Sequence, residues 1–273
     1  MRRIMTLLAF GILLTGCKNE QAEKNGKTTA ETTKTTEASV EKTTKQDAKL
    51  SDLEIVPVSH ATGVFKWGDK VFYTDPVGGA EVFEGKPEPD FILITDIHGD
   101  HMDAATLKTL KLDSTKIIVP KAVQEKLPKD LQSNLVVLAN GETKSHLNFK
   151  ITAIPMYNLP QSKDAMHVKG RGNGYVIEKN GQRLYISGDT EDIPEMRNLK
   201  NIDVALISMN LPYTMPVDRA AEGVLAFQPK KVIPYHYRGK DGFSDIEKFK
   251  TLVNEGNKNI EVQLLDWYPS NKE

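Results

Sequence analysis

The sequence predicts one α/β domain of about 220 residues, set behind a targeting segment and a spacer. Three observations lead there. Between residues 52 and 270, short apolar runs alternate with turn signals and with helical patterns. No internal repeat of fixed period and no long linker interrupts that stretch. Of the 273 residues, 39% are hydrophobic and 27% charged, which is enough apolar material for a substantial core and excludes a wholly disordered chain.

The elements follow in chain order. Residues 1–16 begin with Arg2 and Arg3 and continue as an apolar stretch, 4–14. A helix needs about 20 apolar residues to cross a bilayer, so this stretch is a signal-peptide core and not a span. Leu14-Thr15-Gly16-Cys17 then resembles a bacterial lipobox. The resemblance implies that Cys17 is lipidated and that the protein is held at a membrane of the bacterial cell envelope, its domain outside the cytoplasm. Residues 17–50 carry that cysteine and a Thr-, Lys- and Glu-rich tether too polar to offset its own chain entropy by burial. The folded domain is expected over 51–273.

Within it, strands are expected at 54–58, 71–74, 91–95, 116–119, 135–138, 149–154, 175–178, 183–187, 204–208, 231–234 and 261–265. Asn180-Gly181 between two of these is a hairpin turn signal. Helices are expected at 104–110, 121–127, 217–227 and 245–254. Asp103 suits an N-cap of the first, Pro216 the first turn of the third, and Ser244 the start of the fourth.

Charge and cysteine usage narrow the chemistry. With 36 basic against 37 acidic residues, there is no cationic surplus to hold a nucleic-acid backbone, so no nucleic-acid partner is expected. One cysteine excludes a disulfide framework and a Cys-rich zinc module, so any metal must be held by His, Asp, Glu or Asn. The densest set of such donors is Thr95-Asp96-Ile97-His98-Gly99-Asp100-His101, directly after the apolar run Phe91-Ile92-Leu93-Ile94. A loop leaving a buried strand is rigidly supported and accessible. Gly99 is expected to let the backbone turn so that the side chains converge. Imidazole with carboxylate suits Zn²⁺ or Mn²⁺.

This string resembles the signature of the metallo-β-lactamase superfamily, with Asp96 where the first histidine of H-x-H-x-D-H stands. Ser187-Gly188-Asp189-Thr190 and Ile233-Pro234-Tyr235-His236 resemble its later motifs, in order, and the resemblance extends over residues 54–265. The segments Met166-His167-Val168-Lys169-Gly170, Gly172-Asn173-Gly174-Tyr175 and Pro234-Tyr235-His236-Tyr237-Arg238-Gly239 resemble the branch of ascorbate-6-phosphate lactonase-like and other metal-dependent hydrolases. The resemblance implies a four-layer αββα sandwich and a centre for one or two divalent metal ions. One site maps to Asp96, His98, Asn158 and Asp189, the other to Asp100, His101, Asp189 and His236. Asp96 and Asn158 put oxygen where imidazole is usual, so fewer than two tightly held Zn²⁺ are expected. The competing expectation is that His60 or His167 supplies a missing imidazole. Thr95 and Thr190 are expected to steady the ligand carboxylates.

For catalysis the same reading assigns Asp100 to ligand and nucleophile-orienting work, with His60 and His167 beside it. Arg238, Arg171, Tyr213 and Tyr237 are expected to bind substrate, the arginines gripping an anionic group and the tyrosines donating to a developing oxyanion. The expected function is metal-dependent hydrolysis of a small, anionic lactone, amide or phosphodiester. Two alternatives are a binding lipoprotein on the same fold, its catalysis lost through Asp96 and Asn158, and a nuclease, which the near-neutral charge disfavours.

Overall fold

The computed structural model describes residues 52–269, apart from 111 and 113. The expected signal segment, Cys17 and the expected tether lie outside the described residues. No helix among those described is long and apolar enough to cross a membrane.

Two sheets carry the domain. The first holds β1 (Leu53–Ser59), β2 (Thr62–Trp67), β3 (Lys70–Thr74), β4 (Phe91–Leu93), β5 (Lys116–Val119) and β6 (Leu135–Val137), side by side in chain order. β1 to β3 are antiparallel, and β3 to β6 parallel. The second sheet holds β7 (Thr143–His146), β8 (Phe149–Met156), β9 (Gly172–Lys179), β10 (Gln182–Ile186), β11 (Val204–Ser208) and β12 (Lys231–Tyr235). After the ribbon β13 (Arg238–Gly239) and β14 (Gly242–Phe243), β15 (Glu261–Val262) pairs with β12 at its edge. This sheet too passes from antiparallel to parallel, at β10.

The strand sequences explain the layering. Successive side chains on a strand face opposite ways. In β4, Phe91 and Leu93 join the cluster shared with the second sheet, while Ile92 joins the cluster under α1 (Ala104–Thr109) and α2 (Lys121–Lys126). In β5, Ile118 faces the first cluster and Ile117 and Val119 the second. A strand buried on both faces carries an unbroken apolar run, which is what these sequences show. The far side of the second sheet is covered by α3 (Pro194–Arg197), α4 (Val217–Phe227) and α5 (Ile246–Gly256), through Met196, Val224, Phe227, Phe249 and Val253. The result is the expected αββα sandwich.

Aromatic rings tie the layers together. Phe65, Phe72 and Phe91 stack across β2, β3 and β4 at 4.8 and 4.9 Å, and Phe149 of the second sheet meets Phe91 at 5.3 Å. Each such pair contributes about 0.5–1.5 kcal/mol beyond its area burial.

The local signals fare unevenly. Asp103 caps α1, accepting from the Ala105 N–H at 2.9 Å. At α5 the cap is Asp245, which accepts from Lys248 N–H at 2.8 Å, and Ser244 instead donates to the Met209 carbonyl. Asn180 and Gly181 take φ of 53° and 78°, as a two-residue hairpin with two left-handed positions requires. Strands β2 and β7 and helix α3 were not expected. β2 is buried at every position but Lys66, so it lacks alternation, and β7 is a polar edge strand, where His146 turns its ring edge to Phe91.

Candidate metal centre

Ends of strands from both sheets meet at one rim of the sandwich. Asp75 follows β3, the Thr95–His101 segment follows β4, Asp189 follows β10, and His236 follows β12. His60 sits in the β1–β2 turn, and His167 in the loop between β8 and β9. Cross-sheet bonds fix this meeting: Tyr175 Oη donates to the Ile94 carbonyl at 2.8 Å, and Asn173 N–H to the Thr95 carbonyl at 2.9 Å. Gly188 has φ of 62°, and a β-carbon there would lie 2.7 Å from Met156 Sδ, so glycine alone fits before Asp189. His60, Asp75 and His236 take left-handed φ of 55°, 45° and 49°. A non-glycine residue held there carries backbone strain, and such strain gathers at functional sites.

The turn carrying His98, Asp100 and His101 is closed by the backbone. His101 and Met102 N–H groups both donate to the His98 carbonyl, at 3.0 and 2.9 Å. Gly99 is not in a left-handed conformation and a β-carbon there would meet open space, so the turn does not depend on it as expected.

Around His101 the donors converge. His101 Nδ1 lies 2.9 Å from Asp75 Oδ2, and Asp75 in turn accepts from Thr95 N–H and Oγ1–H, both at 2.7 Å. With Nδ1 so engaged, Nε2 is the His101 nitrogen that faces inward. Nε2 lies 3.2 Å from His236 Nε2, 3.4 Å from Asp189 Oδ2 and 3.8 Å from Asp100 Oδ1. His236 Nε2 lies 3.3 Å from Asp189 Oδ1 and 3.4 Å from Asp100 Oδ2. A tetrahedral ion bound at about 2.0–2.1 Å needs its ligand atoms about 3.3 Å apart. These residues therefore fit a divalent metal.

The other donors behave differently. Asp96 is fully buried and held in a fork by Arg171: Nε donates to Oδ1 at 3.1 Å and Nη2 to Oδ2 at 2.7 Å. His98 Nδ1 lies 2.9 Å from Asp96 Oδ2, a hydrogen-bond distance. Asn158 is not brought to the centre as a ligand. Its Oδ1 accepts from His167 N–H at 2.8 Å, and its Nδ2 donates to the Tyr213 carbonyl at 2.8 Å. The loop folds back so that His167 takes the inward place, its Nε2 3.2 Å from Asp189 Oδ2 and 3.8 Å from Asp96 Oδ2. His167 Nε2 and Asp189 Oδ1 are buried with no hydrogen-bond partner, which fits them to hold an ion.

His60 Nε2 lies 3.2 Å from Asp100 Oδ2. Its Nδ1 is 2.7 Å from Tyr268 Oη, which already accepts from the Arg238 N–H at 3.1 Å. His60 Nε2 thus faces Asp100, and His60, Asp100 and His236 also lie close enough together to share an ion. Tyr268 and Asp75 were not singled out in the sequence. Each comes from far along the chain, and the only local sign of Asp75 was an acidic residue between a strand and Pro76.

The charges follow the geometry. Burial works against the ionised Asp100 and Asp189, but the facing imidazoles outweigh it: His236 and His60 hold Asp100, and His236 and His101 hold Asp189, far below the usual carboxylate range. Burial pulls His101 down, yet Asp189 and Asp75 raise it well above the ordinary histidine value. Burial lowers His60.

His60, His98, Asp100, His167 and Asp189 open onto a cleft of about 340 Å³, which Met166, Tyr213 and Arg238 also line. Arg238 is exposed, stacks on the Tyr268 ring at 5.2 Å and has no carboxylate partner among the described residues. Two expected substrate contacts are not placed there. Arg171 is committed to Asp96, and Tyr237 is buried among Phe243 and Tyr268, at 5.9 and 4.9 Å. Thr190 bonds to Tyr157 and Glu191 backbone rather than to a ligand carboxylate, whereas Thr95 holds Asp75.

Comparison with known proteins agrees with this arrangement. Residues 80–237 match the family described as a beta-lactamase superfamily domain. A UPF0173 metal-dependent hydrolase of Thermococcus onnurineus is 32% identical over 197 residues, covering 69% of this chain and 87% of that one. The crystal structure of a protein of Parabacteroides distasonis, described as a metal-dependent hydrolase, is 36% identical with a TM-score of 0.68, covering 78% of this chain and 92% of that one. Igni18 from Ignicoccus hospitalis, a metallo hydrolase at 22% identity and TM-score 0.65, shares the fold over 78% of this chain and 95% of its own. With the paired sheets, the strand-end donors and these relatives in agreement, the chain belongs to the metallo-β-lactamase superfamily, among its metal-dependent hydrolases.

Proposed function

We propose that the chain is a lipid-anchored metallohydrolase that cleaves a small anionic lactone, amide or phosphodiester at the surface of a bacterial membrane. The observation that carries this reading is the pairing, on one open cleft, of a metal-fitting donor set with Arg238, which has no carboxylate partner among the described residues. Asp100, His101, Asp189 and His236 would hold a Zn²⁺ or Mn²⁺ ion, which when bound would supply Lewis acidity and lower the pKa of water.

The chain's own groups do the rest. Arg238 binds the anionic group of the substrate through its planar fork. Asp100, whose side chain is 41% exposed, reaches the cleft, where its role is to orient the attacking water. His60, whose Nε2 lies 3.2 Å from Asp100 Oδ2, positions that carboxylate. Tyr213 lines the same cleft and would donate to a developing oxyanion.

The protein without its signal segment is tested on generic lactone and phosphodiester substrates, with chelator and then with added Zn²⁺ or Mn²⁺. Hydrolysis lost to chelator and restored by metal is expected, with KM raised in Arg238→Ala. A metal-replete protein that cleaves none of these classes would sink the reading. In cells, Cys17→Ser is expected to leave the membrane fraction or to remain unprocessed, and wild-type fractionation of that variant would remove the anchor.

A further inference from the structure

Arg171 reaches the centre from the loop between β8 and β9, its side chain only 19% exposed. Both oxygens of the buried Asp96 accept from it, at 3.1 and 2.7 Å. Its Nη2 also lies 3.4 Å from His98 Nε2, while His98 Nδ1 meets the same Asp96 oxygen at 2.9 Å. Arg171, Asp96 and His98 thus close a ring of hydrogen bonds that is complete without a metal. A guanidinium does not lose its proton in a protein, so Asp96 is neutralised permanently from within the chain. Asp100 and Asp189 differ: the groups that face them are imidazoles, which are themselves metal ligands and not fixed cations.

We propose that Arg171 acts as a built-in cation that makes the centre lopsided. The half made by Asp100, His101, Asp189 and His236 holds one divalent ion tightly. The half made by Asp96, His98 and His167 holds a second ion only weakly, because the guanidinium has satisfied Asp96 and repels another dication at close range. Arg171 is a positioning residue here, acting on metal occupancy through Asp96 and not on substrate. The inference rests on the metal-centre reading above and goes beyond it in saying why the two halves differ.

The test is stepwise binding of Zn²⁺ and of Mn²⁺ to the chelator-stripped full chain, by competition with a chromophoric chelator and by elemental analysis. In the wild type the second ion is expected to bind about 100-fold more weakly than the first. Arg171→Gln keeps a hydrogen-bond donor but drops the charge, and should tighten the second ion by about tenfold while leaving the first nearly unchanged. Arg171→Lys keeps the charge and should resemble the wild type. Two equally tight ions in the wild type, or an unchanged second affinity in a folded Arg171→Gln, overturns the inference. So does Arg171→Lys behaving like Arg171→Gln. If Arg171→Gln does not fold, the wild-type and Arg171→Lys titrations still decide. A wild type that binds no ion at all overturns the metal-centre reading itself, a distinguishable result.

Discussion

The half of the centre around His101 and the half around Asp96 draw on the same six-residue segment, yet their distances differ in kind. Around His101, inward nitrogen and oxygen atoms stand 3.2–3.4 Å apart, the spacing of ligand atoms about a shared ion. Around Asp96, the contacts of 2.7 and 2.9 Å are ordinary charge-assisted hydrogen bonds, and a guanidinium completes them. Adjacent residues of one motif can thus have separate duties, and what separates them is a side chain 75 positions away.

The largest way to break the comparison is to remove a histidine of the first half. His101→Ala and His236→Ala should each lose nearly all bound metal, to below about a tenth of wild type, since structural affinity depends on a full donor set. His98→Ala should keep its first ion. Elemental analysis of folded protein checks this, and equal losses in all three would erase the distinction between the halves.

Next in size is a stability effect confined to the second half. Asp96→Asn leaves the Arg171 charge mostly buried and unpaired, which costs about 3 kcal/mol or more. Asp96→Asn with Arg171→Met removes both charges and should recover most of that loss. Denaturant unfolding of the metal-free proteins measures it. A double variant no more stable than Asp96→Asn would mean that the pair is not what matters.

A smaller effect tests the support beneath the first half. Asp75 holds His101 Nδ1, and loss of such a carboxylate weakens metal affinity by about 10–100-fold. Asp75→Asn should show that drop with the stoichiometry unchanged at saturating metal.

The smallest effect is on pH. In the metal-free protein His101 has a raised pKa, so its protonated form stabilises the fold fully below the ordinary value of 6.5 and that contribution fades as pH rises through the folded value. Asp189 has a lowered pKa, so its contribution is present above 3.8 and is lost as pH falls through its folded value. Metal must displace the His101 proton. Stripped protein should therefore lose thermal stability on the alkaline side, while apparent metal affinity rises with pH. Melting curves and binding isotherms across pH 6–9 check both, and a flat affinity would show that His101 is already deprotonated.

Much of the fold could be read from local pattern because local physics dictates it. Helix α4 carries a 3.6-residue apolar period behind Pro216, and its expected and observed limits coincide. Strand β7, Thr-Lys-Ser-His, has no apolar residue to mark it and exists because β8 offers it an edge. The site divides in the same way. Asp96, His98, Asp100 and His101 lie on one turn and announce themselves by spacing. Asn158 and His167 are nine residues apart on one loop, and which of them faces inward depends on how that loop closes on itself, through the Asn158 Oδ1 bond to the His167 N–H. Asp75, Tyr268 and Arg171 act through partners 26 to 208 residues away, a pairing that only the packed sheets create.

The left-handed backbone at His60, Asp75 and His236 sets the chemistry at odds with endurance. Each such position holds about 1 kcal/mol or more of conformational energy that a glycine would release. His60 alone of the three is not fully buried, so a laboratory lineage bred only for heat tolerance in metal-free medium would discard it first, while Asp75 and His236 would stay, held by the packing and hydrogen bonds around them.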